Sequence, residues 1–343
     1  MAVPALAGTM LVAGCASPGA LGPAATAPTP PTAPLAPTRF TSPTPSTPST
    51  PSTQAYVSPK AVEVGAGVFM VQGEPGAVDT RNLGRVGNAG FIVGETGVLA
   101  IDTGTSWRNG DALLSNIRSV TDKPVRLALV THAQKDFLFG APAFRERGIP
   151  VLMHRKAADL MASRCERCLR VLKETLGEEE MKGTVMFTPD QQFDESQTLD
   201  VIGRPVRIIY FGHSSGPGDV AVLDPRTGVL FAGGLVDKAR IPDVMDGDID
   251  GWLAALDALR KLPTQVIVPG HGPRTTTAAI DAQVRYLTQL RTRIAQLLQA
   301  GTALSDVPKA AALPEFAGWD QYETLNAKNA SALFVRMQRK QLD

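Results

Sequence analysis

The chain has 343 residues, 43% of them hydrophobic, and a formal net charge of +1. That length is enough for one large domain or for two ordinary ones. The net charge is nearly neutral and the sequence has no run rich in Lys and Arg. Both observations argue against the basic surface of a nucleic-acid-binding protein.

The first residues have the composition of an export signal. Residues 1–14 are almost entirely apolar and end at Cys15, a run too short to span a bilayer but typical of a signal peptide. Residues 11–15, Leu-Val-Ala-Gly-Cys, resemble a bacterial lipobox, in which the peptidase cuts before the Cys and the thiol is diacylated. We therefore predict a signal peptide and lipobox over residues 1–15, export to the periplasm, and a lipid anchor at Cys15. The alternative is a disordered tail with one unrelated Cys, since no Lys or Arg precedes the apolar run.

A low-complexity segment follows. Residues 16–58 consist mainly of Pro, Thr, Ser and Ala, with hardly a charged or large side chain. Such a segment cannot bury enough surface to offset the entropy of ordering, and its prolines favour an extended form. We predict a disordered linker that holds a folded domain away from the membrane. A plain low-complexity tail predicts the same disorder without an anchor.

Short β-rich runs begin at Val64. Residues 67–71 predict a strand, and residues 90–93 and 98–101 predict a hairpin. Buried α/β units come next, with strands expected over 125–130 and 151–153 and helices expected around 113–117 and over 138–147.

A second round of strands and helices follows a long helical insertion at residues 156–183. It consists of a helix over 251–262 and strands over 206–211, 220–223, 229–232 and 266–268. Two β-then-α halves predict two central mixed sheets flanked by helices. We assign residues 59–275 to this domain. Residues 276–343 have apolar side chains at helical spacing and predict a C-terminal helical extension packed on the domain.

Three of the four His residues follow strand-like runs, in loops at the strand ends. They are His132, His213 and His271. Imidazole is the commonest metal ligand in proteins, and its repeated placement at strand ends predicts convergence on one site. We interpret the fourth, His154, as structural.

Five short motifs lie at these strand ends. They are Ile101-Asp102-Thr103-Gly104, Thr131-His132-Ala133-Gln134-Lys135-Asp136-Phe137, Gly212-His213-Ser214-Ser215-Gly216, Phe231-Ala232-Gly233-Gly234 and Pro269-Gly270-His271-Gly272. In order and spacing they resemble the motifs of the metallo-β-lactamase superfamily, over roughly residues 64–273. The resemblance implies that family's fold, an α+β four-layer αβ/βα sandwich with two central mixed sheets flanked by helices.

The resemblance also implies a set of metal ligands. In that family the second motif reads His-x-His-x-Asp-His, and the fourth motif adds an acid or a thiolate, so that two metal ions are bound. Position by position, the ligands that match are His132, Asp136, His213 and His271. The three other positions hold Gln134, a weak donor at best, and Phe137 and Gly234, which offer none. One weakly bound Zn²⁺, or no metal, is therefore expected.

For a site that holds metal, the resemblance implies hydrolysis of an ester- or amide-type small molecule by a metal-activated water. Asp136 and His132 would be the catalytic residues. Asp102 matches the family's acid that fixes the loops behind the ligands. The alternative is a catalytically inactive scaffold that binds a small molecule or a periplasmic protein partner.

Cys165 and Cys168 form a Cys-x-x-Cys pair in the helical insertion. Outside the cytoplasm such a pair favours a local disulfide. The neighbouring Arg164 and Arg167 favour a thiolate, which leaves a second alternative open, a thiol redox protein that uses this pair. Two lysines, Lys135 and Lys238, are expected near the mouth of the site. They would either contact an anionic substrate or be solvated surface residues.

Overall fold

Two β-sheets pack face to face in the structure, a computed structural model that describes residues 59–342. The predicted signal peptide with Cys15 and the predicted linker at 16–58 lie outside the described residues, and both stay predictions. No helix within 59–342 combines the length and the apolar character needed to cross a bilayer.

The first sheet contains, among the described residues, seven strands whose spatial order follows the chain. They are β1 (Val62–Gly65), β2 (Val68–Val71), β3 (Ala89–Val93), β4 (Val98–Ile101), β5 (Val125–Val130), β6 (Val151–His154) and β7 (Gln191–Phe193). Strands β1 to β4 pair antiparallel, whereas β4 to β7 run parallel. Parallel neighbours need crossover connections, and helices supply them here. The sheet is mixed, as predicted.

The second sheet has five strands within residues 59–342, in the spatial order β12-β11-β10-β9-β8. They are β8 (Gln197–Leu199), β9 (Val206–Tyr210), β10 (Val220–Asp224), β11 (Val229–Gly233) and β12 (Val266–Pro269). Only the β11–β12 pair is parallel. A tight turn joins β10 and β11: Asp224 accepts a 3.0 Å hydrogen bond from the N–H of Thr227, and Gly228 takes a φ of 69°.

Helices cover the outer face of each sheet. They are α1 (Trp107–Val120), α2 (Lys135–Leu138), α3 (Ala141–Arg145), α4 (Arg155–Leu176), α5 (Ile249–Arg260), α6 (Ala278–Gln299), α7 (Val307–Ala310) and α8 (Ala327–Leu342). Buried side chains of α1, α3 and α4 pack on the first sheet. Those of α5, α6 and α8 pack on the second. The layers therefore run helix, sheet, sheet, helix, which confirms the predicted αβ/βα sandwich. The stretch predicted as an insertion contains α4, which is the crossover between β6 and β7.

A third layer of buried side chains lies between the sheets, and it shows the alternation that a strand dictates. Leu99 and Ile101 of β4 point into this layer, whereas Val98 and Ala100 point outward to the helices. Because both faces of the central strands are covered, these strands have continuous apolar sequences.

One buried ion pair joins the two sheets. Arg204, just before β9, makes a bidentate contact with Asp224 at the end of β10, with N–O distances of 2.8 and 2.6 Å. The same guanidinium donates to the carbonyl oxygens of Ala66 and Val93 in the first sheet, at 3.1 Å each. Arg204 is 4% exposed and Asp224 is 0% exposed. Removing one member would leave the other charge buried and unpaired.

We therefore expect Arg204→Met to lower the free energy of unfolding by about 3–5 kcal/mol, measured by urea denaturation. The matched control is Arg207→Met, three residues away at an exposed position on β9, which should change it by less than about 1 kcal/mol. Equal losses in both variants would contradict this role for Arg204.

Candidate active site

The predicted site residues lie on loops at one kind of position, the carboxyl ends of strands. Asp102 directly follows β4. His132 and His271 each lie two positions after the last residue of a strand, β5 and β12 respectively. Asp136 lies on the short helix α2 just after His132. Strand ends of facing sheets meet at a common rim, so the fold brings these loops together.

The carboxylate of Asp136 is buried and contacts an ammonium group and an imidazole ring of the protein. The ammonium of Lys135 lies 2.8 Å from Oδ1, and Nε2 of His271 lies 3.4 Å from Oδ2. Burial alone would raise the pKa of Asp136, but Lys135 and His271 together lower it far below its usual value. Asp136 is therefore an anion at neutral pH, already neutralised by neighbouring side chains.

His271 lies between two carboxylates. Its Nδ1 is 2.8 Å from Oδ1 of Asp237, and the same oxygen accepts a 2.9 Å hydrogen bond from the backbone N–H of His271. Burial favours the neutral ring, yet the charges of Asp237 and Asp136 outweigh it and raise the pKa of His271 above its ordinary value. Both ring nitrogens of His271 thus have a carboxylate partner, at 2.8 and 3.4 Å, so that neither is free for a metal.

The ring of Phe137 lies between the two buried imidazoles. Its centroid is 4.2 Å from that of His132 and 5.1 Å from that of His271. Phe137 is 1% exposed. The residue that stands at a ligand position of the family motif is thus an apolar spacer that separates the histidines.

His132 is fully buried and has one hydrogen-bonded nitrogen. Its Nδ1 lies 2.7 Å from Oγ1 of Thr131, and this hydroxyl lies 2.9 and 3.0 Å from the two carboxylate oxygens of Asp102. When the hydroxyl donates to Asp102, Nδ1–H donates to the hydroxyl, and the lone pair is on Nε2. Nε2 has no hydrogen-bond partner in the described part of the chain. Burial and the charge of His271 lower the pKa of His132 to about 4, so the ring is neutral.

Two further acids, which the sequence analysis missed, complete the site. Asp237 holds His271, as described above. Asp219, directly before β10, is 3% exposed and accepts a 2.6 Å hydrogen bond from the hydroxyl of Ser215. Burial raises the pKa of Asp219 to about 7, and it also raises the pKa of Asp102 to about 7. The only sequence signal was position: both acids lie within a few residues of the strands that carry motifs.

Gly234 lacks a side chain for a steric reason. A Cβ atom at this position would lie 2.9 Å from Oδ2 of Asp219 and 2.9 Å from Cδ2 of His132. The space that a metal-binding acid of the fourth motif would need is therefore filled by Asp219 and by the imidazole ring.

The structure does not bring His213 to this cluster. His213 is exposed, and its Nε2 lies 2.6 Å from the carbonyl oxygen of Asp246. Ser215, two residues later, is the member of this loop that faces the site. It lines a cavity of about 50 Å³ together with Gln134 and Asp219. Gln134 therefore lies at the rim, as its motif position indicates. His154 binds the carbonyl oxygen of Asp194 through Nε2 at 2.9 Å, which fits the structural role expected for it.

These residues do not fit a zinc ion. Among residues 59–342, no group of three or more His, Cys, Asp or Glu side chains is arranged to hold a metal. Of the four predicted ligands, His132 is separated from His271 by Phe137, His213 faces away, and Asp136 is bound to Lys135 and His271. A zinc site needs at least three donors around one point with open lone pairs.

The fold and the rim of loops define a two-sheet αβ/βα sandwich of the metallo-hydrolase type. The family model of the metallo-β-lactamase superfamily matches residues 83–271, more than half of the chain. The chain belongs to the metallo-β-lactamase superfamily.

Individual relatives are distant. The chain is 24% identical over 215 residues to a linear primary-alkylsulfatase of a Pseudomonas species, covering 53% of this chain and 40% of that protein. It is 27% identical over 106 residues to the metallo-β-lactamase type 2 of Bacteroides fragilis, covering 29% and 43%. The chain thus spans less than half the length of these two relatives. A metallo-β-lactamase from Pontibacter korlensis has a similar fold, with a TM-score of 0.55, 22% identity, and coverage of 67% of this chain and 98% of that one.

Asp219 gives a pH-dependent prediction. Its pKa is about 7 in the folded chain and near 3.8 when exposed, so the buried anion destabilises the fold increasingly as the pH rises from about 4 to above 7. We expect Asp219→Asn to stabilise the protein by roughly 2–3 kcal/mol more at pH 8 than at pH 5, measured by urea denaturation. Asp122→Asn, at an exposed position, is the control and should show no such difference. An equal effect of Asp219→Asn at both pH values would contradict the burial argument.

Proposed function

We propose that this chain is an exported member of the superfamily that binds a small anionic molecule at the loop rim, in a site whose metal position is filled by the protein's own side chains. The single observation that carries the proposal is the buried Asp136 carboxylate, which contacts Lys135 at 2.8 Å and His271 at 3.4 Å. A buried carboxylate must be neutralised, and in this family's ligand scheme a metal ion would do so. Here the ammonium of Lys135 and the imidazole of His271 contact it instead.

The proposed binding space is a second cavity, which His271 also lines. A cavity of about 230 Å³ is lined there by Lys238, Arg240 and His271. Two acids, Glu74 and Asp320, also line it, and Asp320 is already bound to Arg240 at 2.5 Å. The ammonium of Lys238 makes no ion pair with any described residue and is partly exposed. Of the three basic residues that line this cavity, Lys238 is the one whose ammonium makes no ion pair among the described residues, and it favours an anionic small molecule.

A second candidate function is hydrolysis with one weakly bound zinc ion, as the motif resemblance implies. The names of the relatives, an alkylsulfatase and β-lactamases, support a hydrolase-like function. The buried lone pair on Nε2 of His132, which lacks a partner among the described residues, favours it as well. The mismatch of the other donors weighs against it.

The location is part of the same proposal. The apolar run at residues 1–14, the lipobox ending at Cys15 and the Pro-rich segment after it support export, lipid anchoring at the bacterial membrane and a tether that holds the domain in the periplasm. A domain in that position could also meet a periplasmic protein partner.

Zinc retention separates the two candidate functions. Protein equilibrated with zinc and then dialysed should keep less than about 0.1 equivalent. Phe137→His adds a third donor beside Asp136 and His271, and three ligands together allow zinc to displace Lys135 from Asp136 and the proton from His271, so this variant should keep about one equivalent.

Phe137→Leu is the matched control, because it removes the ring without adding a donor and should stay metal-free. Circular dichroism checks that each variant is folded. If the unmodified chain keeps one equivalent of zinc and loses it with His132→Ala, the metal-free proposal fails and the mononuclear hydrolase replaces it.

Anion binding is tested with two probes, inorganic sulfate and hexyl sulfate, by isothermal titration calorimetry. We expect Lys238→Gln to weaken binding of the tighter probe about tenfold, because it removes one charge-assisted contact. Lys60→Gln, at an exposed position outside the lining of the cavity, is the control and should leave affinity unchanged. No binding of either probe, or equal affinity in Lys238→Gln, would contradict the proposed ligand class.

A further inference from the structure

Helix α4 carries two thiols that the proposed function does not use. Cys165 and Cys168 are free thiols in the structure, and the local disulfide expected for an exported chain stays a prediction. Cys165 is 2% exposed and packs in the core under the first sheet, whereas Cys168 is partly exposed. One thiol is thus open to a reagent in solution, and the other is held behind it.

The helix places the two thiols within reach of each other. Residues three apart on an α-helix have Cα atoms about 5 Å apart, inside the roughly 4.4–6.8 Å range of disulfides. Their Cβ atoms lie about 5–6 Å apart on a regular helix, against roughly 3.5–4.5 Å in a disulfide. Closing the bond therefore requires a tightening of one helical turn by about an ångström.

The surroundings of Cys168 favour its thiolate. The neighbouring Cys165 thiol and the nearby ammonium of Lys135 lower the pKa of Cys168, against the effect of burial, and Sγ of Cys168 lies 3.7 Å from the carbonyl oxygen of Arg164. The neighbouring Cys168, together with burial, raises the pKa of Cys165. Cys168 lies in the middle of α4, so the positive end of the helix dipole contributes nothing. The support for a thiolate comes from side chains alone.

We propose that Cys168 and Cys165 form a peroxide-reactive dithiol, in which Cys168 is the attacking thiolate and Cys165 the resolving thiol. The substrate class is a small hydroperoxide, with hydrogen peroxide as the simplest member. Accessible attacking thiol, buried resolving thiol and adjacent cation are the arrangement found at redox-sensitive cysteine pairs.

The reaction balances in two steps. The Cys168 thiolate attacks one peroxide oxygen, the O–O bond breaks, and the products are Cys168 sulfenic acid and hydroxide, which takes up a proton to become water. The Cys165 thiol then attacks the sulfenic sulfur, an S–S bond forms and a second water leaves. Two electrons pass from the two thiols to the peroxide. A small dithiol returns the pair to the reduced state by thiol–disulfide exchange.

The chain offers a direct readout for this reaction. Trypsin cuts after Arg164, Arg167 and Arg170, so Cys165 and Cys168 fall on separate tripeptides that stay joined only by a disulfide. The full chain is treated with a stoichiometric amount of hydrogen peroxide, alkylated, digested and analysed by mass spectrometry. We expect the joined tripeptides as the main product, and their loss after dithiothreitol. A disulfide that involves Cys15 has a different mass and is counted separately.

Variants assign the roles. Cys165→Ser should stop at a sulfenic acid on Cys168 that dimedone traps, whereas Cys168→Ser should slow peroxide consumption at least about tenfold. Lys135→Gln should slow the first step several-fold, and Lys156→Gln, an exposed residue on the first turn of α4, is the matched control. Equal rates in both Cys variants would overturn the proposal. So would a disulfide yield no greater in the folded chain than in the chain unfolded with urea.

Discussion

A carboxylate buried away from water has to be neutralised, and the charge balance around Asp136 determines how the rest of this site is arranged. Transfer of a carboxylate into a protein interior costs on the order of several kcal/mol unless a countercharge is close. Lys135 and His271 provide that countercharge, and Asp237 in turn holds His271 from behind. With these contacts made, both carboxylate oxygens of Asp136 and both ring nitrogens of His271 have a partner within the protein. The apolar ring of Phe137 occupies the space between the imidazoles.

The two-sheet fold does not depend on the metal-ligand positions, because other contacts provide its stability. The strands are fixed by three layers of buried apolar side chains and by the Arg204–Asp224 pair between the sheets. Asp136, Phe137 and His271 are not members of these layers, so the site side chains can differ without loss of the sandwich. The positions of Asp219 and Gly234 show the limit of that freedom. With Asp219 filling the space beside His132, only glycine fits at 234.

Much of the architecture could be predicted from the sequence, because the apolar periodicity of the strands and the order of five motifs are long-range patterns. The convergence of His132, Asp136 and His271 follows from strand ends meeting at one rim. The direction of a single loop side chain is not a periodic property, and here His213 turns to the carbonyl oxygen of Asp246. Asp237 belongs to no pattern that the sequence displays, since its partner His271 is distant along the chain, and the burial of Asp219 beside His132 depends on the folded arrangement of the loops. The state of the two thiols on α4 depends on geometry that spacing alone does not give.

The substitutions at Gln134, Phe137 and Gly234 are thus parts of one change. The two that lack donors are accompanied by side chains that take over the charge and the volume of a ligand set: Lys135 beside Asp136, and Asp219 beside Gly234. Anomalous diffraction at the zinc absorption edge, from crystals grown with zinc, tests this account most directly. We predict no anomalous peak within bonding distance of Asp136, His132 or His271, with Phe137 still between the imidazoles. A peak bonded to any two of those three side chains would contradict it.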